Sequence, residues 1–379
     1  MATTMTLTPA QRRIQRVSEQ MEAAGADVLL VSSPSAIAYL SDLNIRPFTA
    51  PGTVLILGPG ANTTLLASEA DQPRIEASGY QGLADYWPLG EDADARRQSV
   101  LRMHLAGLRS SAQIAAEGNA LQYNVLQEAA LPAEPILEAA MRIKDDDEIR
   151  RLRAAADLAD IGYTAVVDRM TPELRVYEIV RNVDRSLRRA GGGEAWSPLE
   201  DAAGVTRAGY YPVGSIATLL GRHVETGVLD PSQPLPFALY PLSENYTGAA
   251  GTTIVFESPG PLLRSLAGAL SDATETAIHA IRPGARADEV FAAHRMALQG
   301  IVSPDRLDPV IGYSVGTGIS RPLLSATSEE VLEPGMALSV RTAIAREQGP
   351  GIAFQTTVLV TETGNERLNI APLRLIELH

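Results

Sequence analysis

The chain has 379 residues, 45% hydrophobic and 20% charged, which is enough for two domains with ordinary globular cores. A formal net charge of −13 argues against nucleic acid or an anionic membrane surface as partner, because both require clustered positive charge. There is no cysteine, which excludes disulfides, a thiol nucleophile and a Cys-based zinc site.

Met1–Gln15 is polar and lacks the apolar segment of a secretory leader, and no run reaches the ~20 apolar residues of a membrane helix, so a soluble cytoplasmic protein is expected. Thr8–Ala24 has helical periodicity, with Ile14, Val17 and Met21 on one face. Asp27–Val31 reads as a short buried strand stopped by Ser32-Ser33-Pro34, and Ser35–Leu40 as a helical turn. Thr53–Leu57, Thr63–Ala67, Gly82–Trp87 and Ile114–Glu117 read as strands; Asp71–Ser78 and Glu91–Leu108 read as helices. Strands alternating with helices imply an α/β layer domain over residues 1–140.

A second domain is expected over residues 141–379. Asp145 or Asp146 can cap its first helix, in which Ile149, Leu152, Ala156 and Ala159 keep helical spacing and acids fill the first turn. Glu173–Ala190, Leu262–Ala280 and Ala287–Leu298 read as further helices. The stretch Val331–Gly364 is β-rich: Glu333-Pro334-Gly335-Met336 is a turn, and Ala337–Thr342 and Thr356–Thr361 are strand-length runs. Strand, Gly/Pro loop and strand in that order bring Arg341 near Gln355. Gly58-Pro59-Gly60 is a turn and not a phosphate loop, since no Lys-Ser/Thr follows it.

The opening run Arg142-Ile143-Lys144-Asp145…Glu148-Ile149, the run Ile281-Arg282-Pro283-Gly284 and the turn Leu332-Glu333-Pro334-Gly335-Met336 together resemble the creatinase/aminopeptidase P/prolidase family. The likeness extends to the strand ending in Ser33-Pro34 followed by Ala38-Tyr39-Leu40-Ser41, and so covers essentially the whole chain. It implies an α/β fold: an N-terminal creatinase-type α/β domain and a C-terminal catalytic domain of the pita-bread type. It also implies a homodimer in which the N-terminal domain reaches the partner's active site, where Arg46 and Phe48 would meet substrate. The plain alternative is that Arg46 and Phe48 are loop residues.

In that family five side chains hold two metal ions. The matching positions here are Tyr240, Gly251 (eleven residues on), Tyr313 in Gly312-Tyr313-Ser314-Val315-Gly316, Arg341 and Gln355. A guanidinium cannot ligate a metal, and none of the other four suits a hard divalent ion. No metal or other cofactor is therefore expected. Creatinase, itself metal-free, is the nearest precedent: Tyr240-Pro241 and Ser314-Val315-Gly316-Thr317 follow its version, and His223 matches its general acid and base. Its two guanidinium-holding Glu positions fall on Gly251 and Gln355, which argues against creatine.

The expectation is a metal-independent enzyme acting on a small non-peptide substrate, most simply hydrolysing a C–N bond. His223, Tyr240 and Tyr313 would do the chemistry; Arg341, Gln355, Tyr246, Phe48 and Arg46 would bind substrate. A small carboxylate or polar carbonyl compound suits Arg341 and the tyrosines better than a cation does. Elimination, cyclisation or isomerisation in the same pocket, or a catalytically inactive binding protein, are the competing readings. Tyr240 and Tyr313 would alternatively fill the volume of the missing metals, and Arg341 would alternatively form a buried ion pair with Glu225 or Glu244.

Overall fold

The structure is a computed structural model and describes residues 7–43, 52–107, 112–118, 130–192, 211–212, 231–346 and 351–378. The chain divides into two compact units, Met1–Met141 and Arg142–His379, one residue beyond the boundary read from the sequence.

In the first unit, helix α1 (Pro9–Ala23) opens on a reciprocal cap: Thr8 Oγ1 accepts from Gln11 N, and Gln11 Oε1 accepts from Thr8 N. Its buried face carries Val17 and Met21 as expected, and also Arg13. That cation is tolerated because Nε donates to Tyr39 O at 2.7 Å and Nη2 pairs with Asp42 at 2.5 Å. Strand β1 (Val28–Val31) leads to α2 (Pro34–Ser41), whose start is fixed from far along the chain: the Glu117 carboxylate accepts from Ser32 N, Ser33 N and Ser33 Oγ. Strands β2 (Val54–Gly58), β3 (Asn62–Ser68), β4 (Leu83–Trp87), β5 (Ile114–Ala116) and β6 (Leu131–Pro132) complete a six-stranded mixed sheet of order β4-β3-β2-β1-β5-β6. Helices α3 (Gln72–Ala77), α4 (Ala93–Ala106) and α5 (Glu134–Arg142) are the remaining helices described. Two apolar clusters, one containing Leu29, Val31 and Ile37 and the other Val28, Leu30 and Trp87, bury alternate residues of β1 on its two faces.

The second unit is built on a nine-stranded sheet. Its strands are β7 (Tyr211–Pro212), β8 (Leu235–Leu239), β11 (Ala250–Val255), β12 (Val310–Val315), β13 (Ile319–Ser325), β14 (Ala337–Ile344) and β15 (Ile352–Val360), in the order β13-β12-β14-β15-β11-β8-β7. Two short strands join it, β16 (Asn365–Arg367) on β15 and β17 (Ile376–Glu377) on β11. A separate hairpin pairs β9 (Leu242–Ser243) with β10 (Tyr246–Thr247). Helices α6 (Asp146–Arg169) and α7 (Val176–Arg189) pack on the β8 end; α8 (Pro261–Ala280) and α9 (Ala287–Ala297) pack on the β14 end.

Asp145 is the residue that caps α6, in a reciprocal box with Glu148. The Pro334-Gly335 turn explains its own glycine. Gly335 has φ +87° and lies so close to Lys144 that an added Cβ would stand 3.1 Å from Lys144 O and 2.9 Å from Ile143 Cγ2. That approach lets Lys144 N donate to Gly335 O at 3.0 Å, tying the start of the unit to its last large hairpin. Strand β15 begins at Ile352, four residues before the run read from the sequence, because Ile352 and Phe354 pack with the α8–α9 core while Ala353 and Gln355 face the other way. Among the described residues no helix is long and apolar enough to cross a membrane.

Candidate functional site

Sheet register assembles the site. Strands β14 and β15 set Arg341 opposite Gln355 and Ser339 opposite Thr357. Gln355 is in turn opposite Gly251 on β11, Gly251 is opposite Ala238 on β8, and Tyr313 on β12 is opposite Ser339. Cross-strand partners project to the same side, and side chains alternate along a strand. The intervening residues Leu338, Val340 and Phe354 belong to the core against α8 and α9, where Thr342 Oγ1 meets Thr274 Oγ1 at 2.6 Å. Ser339, Arg341, Gln355, Gly251 and Tyr313 therefore share the opposite face, and Tyr240 follows β8 at its edge.

A directed chain of hydrogen bonds runs across that face. Tyr240 Oη donates to Gln355 Oε1 at 2.8 Å. Gln355 Nε2 donates to Ser339 Oγ at 2.7 Å and to Tyr313 Oη at 3.4 Å. The amide thus uses its acceptor on one tyrosine and its donors on the other and on a serine. Tyr313, accepting from the amide, keeps its own proton to give elsewhere. All four side chains are buried.

Gly251 cannot carry a ligand side chain without the sheet shifting: a Cβ there would stand 2.8 Å from Phe237 O and 3.1 Å from Gln355 Cβ. Arg341, 1% exposed, has its Nη2 3.8 Å from Oδ2 of Asp308, itself 2% exposed. The sequence reading did not find Asp308. It lies 33 residues before Arg341, and only the strand-edge geometry brings the two together. Glu244, one of the two acids expected to pair with Arg341, instead pairs with Arg150 (3.0 Å) and Arg151 (3.4 Å); the Arg150 hydrogen bond holds its carboxyl below the usual range. The other, Glu225, lies outside the described residues, as do His223, Arg46 and Phe48.

Tyr246 is placed differently from Tyr240 and Tyr313. It sits on β10 against α6, its hydroxyl donates to Glu148 Oε1 at 3.0 Å, and Arg151 covers its ring at 5.7 Å. Lys144, which the sequence reading treated only as part of a motif, is buried and donates to Ser314 Oγ at 3.0 Å and Arg142 O at 3.1 Å. Of the histidines on the described helices, His104 contacts Asp85 (3.0 Å) and His279 contacts Glu275 O (2.7 Å). His294 is buried, with no hydrogen-bond partner for either ring nitrogen among the described residues.

The sequence matches the model of Metallopeptidase family M24 over residues 150–362 and that of the Creatinase/Prolidase N-terminal domain over residues 13–154. The chain belongs to the creatinase/aminopeptidase P/prolidase family. Its second unit is accordingly the pita-bread domain. It is 22% identical over 373 residues to a Xaa-Pro dipeptidase of Pyrococcus horikoshii, covering 96% of this chain and 98% of the relative. It is 26% identical over 388 residues to an agropine synthesis cyclase of Rhizobium rhizogenes, covering 94% and 95% respectively. The recombinant prolidase of Thermococcus sibiricus superposes with a TM-score of 0.82 at 16% identity, over 98% of this chain and all of that one. This last likeness speaks for the fold.

The side chains at the five positions that the sequence resemblance matches to cation ligands do not suit two divalent cations. One is a cation facing Asp308, one is a glycine with no space for a side chain, and three are neutral groups, two of them phenols joined through the amide of the third. Among the described residues no group of three or more His, Asp or Glu is gathered as a metal site would require.

Proposed function

We propose that this member of the M24 family is a metal-independent enzyme that hydrolyses a C–N bond in a small, non-peptide substrate bearing a polar carbonyl group. The observation that carries the reading is the Tyr240–Gln355–Tyr313 chain beside Arg341, standing where the family places cation ligands. In this reading Arg341 and the proton of Tyr313 are donors toward the substrate carbonyl and the oxyanion that grows on it when water adds. Gln355 orients Tyr313 by donating to its oxygen. His223 takes the proton from water and returns it to the departing nitrogen, a role suited to a side chain that titrates near neutral pH. No step passes through a metal.

A second reaction on the same groups is favoured by the likeness to a cyclase over nearly the full chain. If an internal nucleophile replaces water, the same base and oxyanion donors close a ring.

The test is a thermal-shift screen of wild type and Arg341→Ala against small amides, lactams, cyclic imides, carboxylates and guanidino acids, followed by mass spectrometry of every compound that binds. Saturating ligand raises stability by roughly RT ln(1 + [L]/Kd). The expected result is a compound that stabilises wild type but not Arg341→Ala and takes up the elements of one water across its C–N bond on incubation; release of the amine without uptake of water selects ring closure. His223→Ala is expected to fold normally and lose turnover. Binding without any turnover would turn the assignment toward a binding protein, and an equal response of wild type and Arg341→Ala would remove the site from this pocket.

A further inference from the structure

Asp308 is held more firmly than a surface acid would be. The segment before it is stitched to the end of β14: Leu307 and Ile344 form an antiparallel bridge, Ala345 N donates to Arg306 O at 2.8 Å, and Arg306 Nε donates back to Ala345 O at 2.8 Å. From α9, Arg295 Nη2 donates to the carbonyl of Asp308, with the Arg295 guanidinium lying 4.7 Å over the Phe291 ring. The backbone that carries the carboxylate is thus held at Arg306, Leu307 and Asp308 itself, and Oδ2 stands 3.8 Å from a guanidinium that is 1% exposed.

We propose that Asp308 is a specificity-determining residue, which neutralises Arg341 so that the pocket takes compounds that are uncharged where they meet the guanidinium, amides and lactams, and rejects carboxylates of the same shape. The inference rests on the reading of Arg341 as a substrate contact. The physical argument is one of charge count in a dry place. An isolated buried cation would draw any small anion into the pocket, because water is absent to compensate it. Asp308 fixed beside it offsets that charge, while the second nearby guanidinium, Arg295, is engaged by the Asp308 carbonyl and the Phe291 ring. A carboxylate set on Arg341 would then bring a second negative charge close to the first, where the low local dielectric leaves like charges poorly screened. A carbonyl oxygen accepts the same N–H bonds without that repulsion.

Three matched pairs of probes test this: succinate and succinamide, pyroglutamate and its primary amide, N-carbamoylglycine and its primary amide. Dissociation constants are measured by calorimetry on wild type, Asp308→Asn and Asp308→Asn/Arg341→Gln. The expected result is that wild type prefers the amide of a pair, that Asp308→Asn binds the carboxylate at least tenfold tighter than wild type does, and that the double variant loses this gain. A merely structural role for Asp308 predicts weaker binding of both members and no gain. A wild type that prefers the carboxylate overturns the inference while leaving Arg341 as a substrate contact; this outcome needs no variant and stands even if Asp308→Asn fails to fold. A gain that persists in the double variant also overturns it. If none of the six probes binds wild type, the reading of the pocket falls and the inference falls with it.

Discussion

At the scale of single residues, Gly251 and His294 make the sharpest expectations. Gly251 has no space for even a methyl group, since its Cβ would meet a backbone carbonyl that cannot rotate away. Gly251→Ala is expected to lower stability by about 1–3 kcal/mol, the range of overpacked positions, read as a fall in Tm by calorimetry. An unchanged Tm would mean that β8 and β11 separate more easily than their register implies. His294 is kept neutral mainly by burial, and also by the neighbouring Arg295 charge, so its pKa is pushed down to about 3. In the unfolded chain the ring protonates near pH 6.5, so the folded state loses stability as pH falls from there toward the folded-state value, by up to about 1.4 kcal/mol per pH unit. His294→Leu removes this contribution. Its Tm is therefore expected to fall less than that of wild type between about pH 7.5 and about pH 5. Parallel losses in the two proteins would show that the ring finds a proton acceptor when charged.

At the scale of elements, helix ends and strand edges hold the second unit together. At the C-terminal end of α8, Asn365 at the start of β16 donates to Ile278 O at 2.9 Å, which also accepts from the capping Ile281 N, and to Ile281 O at 2.8 Å. Asn365→Ala is expected to cost about 1–2 kcal/mol and to speed hydrogen exchange in the last turn of α8; unaltered exchange there would assign the bonds no weight. The same scale explains what could be read in advance. Val331–Gly364 was legible because Pro, Gly and β-branched residues act locally, and the Arg341–Gln355 pairing follows from one turn and two strands. The β9–β10 hairpin was missed because its two-residue turn uses Glu244 and Asn245, at φ 45° and 72°, where glycine is the usual signal. Asp308 was missed for a different reason. The contact depends on where the segment before β12 crosses the edge of β14, which sheet topology decides and residue spacing does not. Tyr240, Tyr313 and Gln355 were recognised as a group through their family frames, whereas the direction of the hydrogen bonds among them emerges only from the folded geometry.

For the whole molecule, the expectation concerns cations. Extensive dialysis against EDTA is expected to leave Tm unchanged, because none of Tyr240, Gly251, Tyr313, Arg341 and Gln355 offers a carboxylate or imidazole to a divalent cation. A lower Tm that manganese, cobalt or zinc restores would point to a site built from other residues. The crowding at Gly251 and the pairing of Arg341 with Asp308 also bear on descent. Consider a lineage that moves one substitution at a time from this site toward a two-cation centre. Gly251→Asp forces a side chain into the Phe237 carbonyl, and Arg341→Glu sets two buried carboxylates side by side, each before any cation is present to repay the damage. A path of single substitutions from this site to a two-cation centre therefore descends before it climbs, at Gly251 and at Arg341 alike.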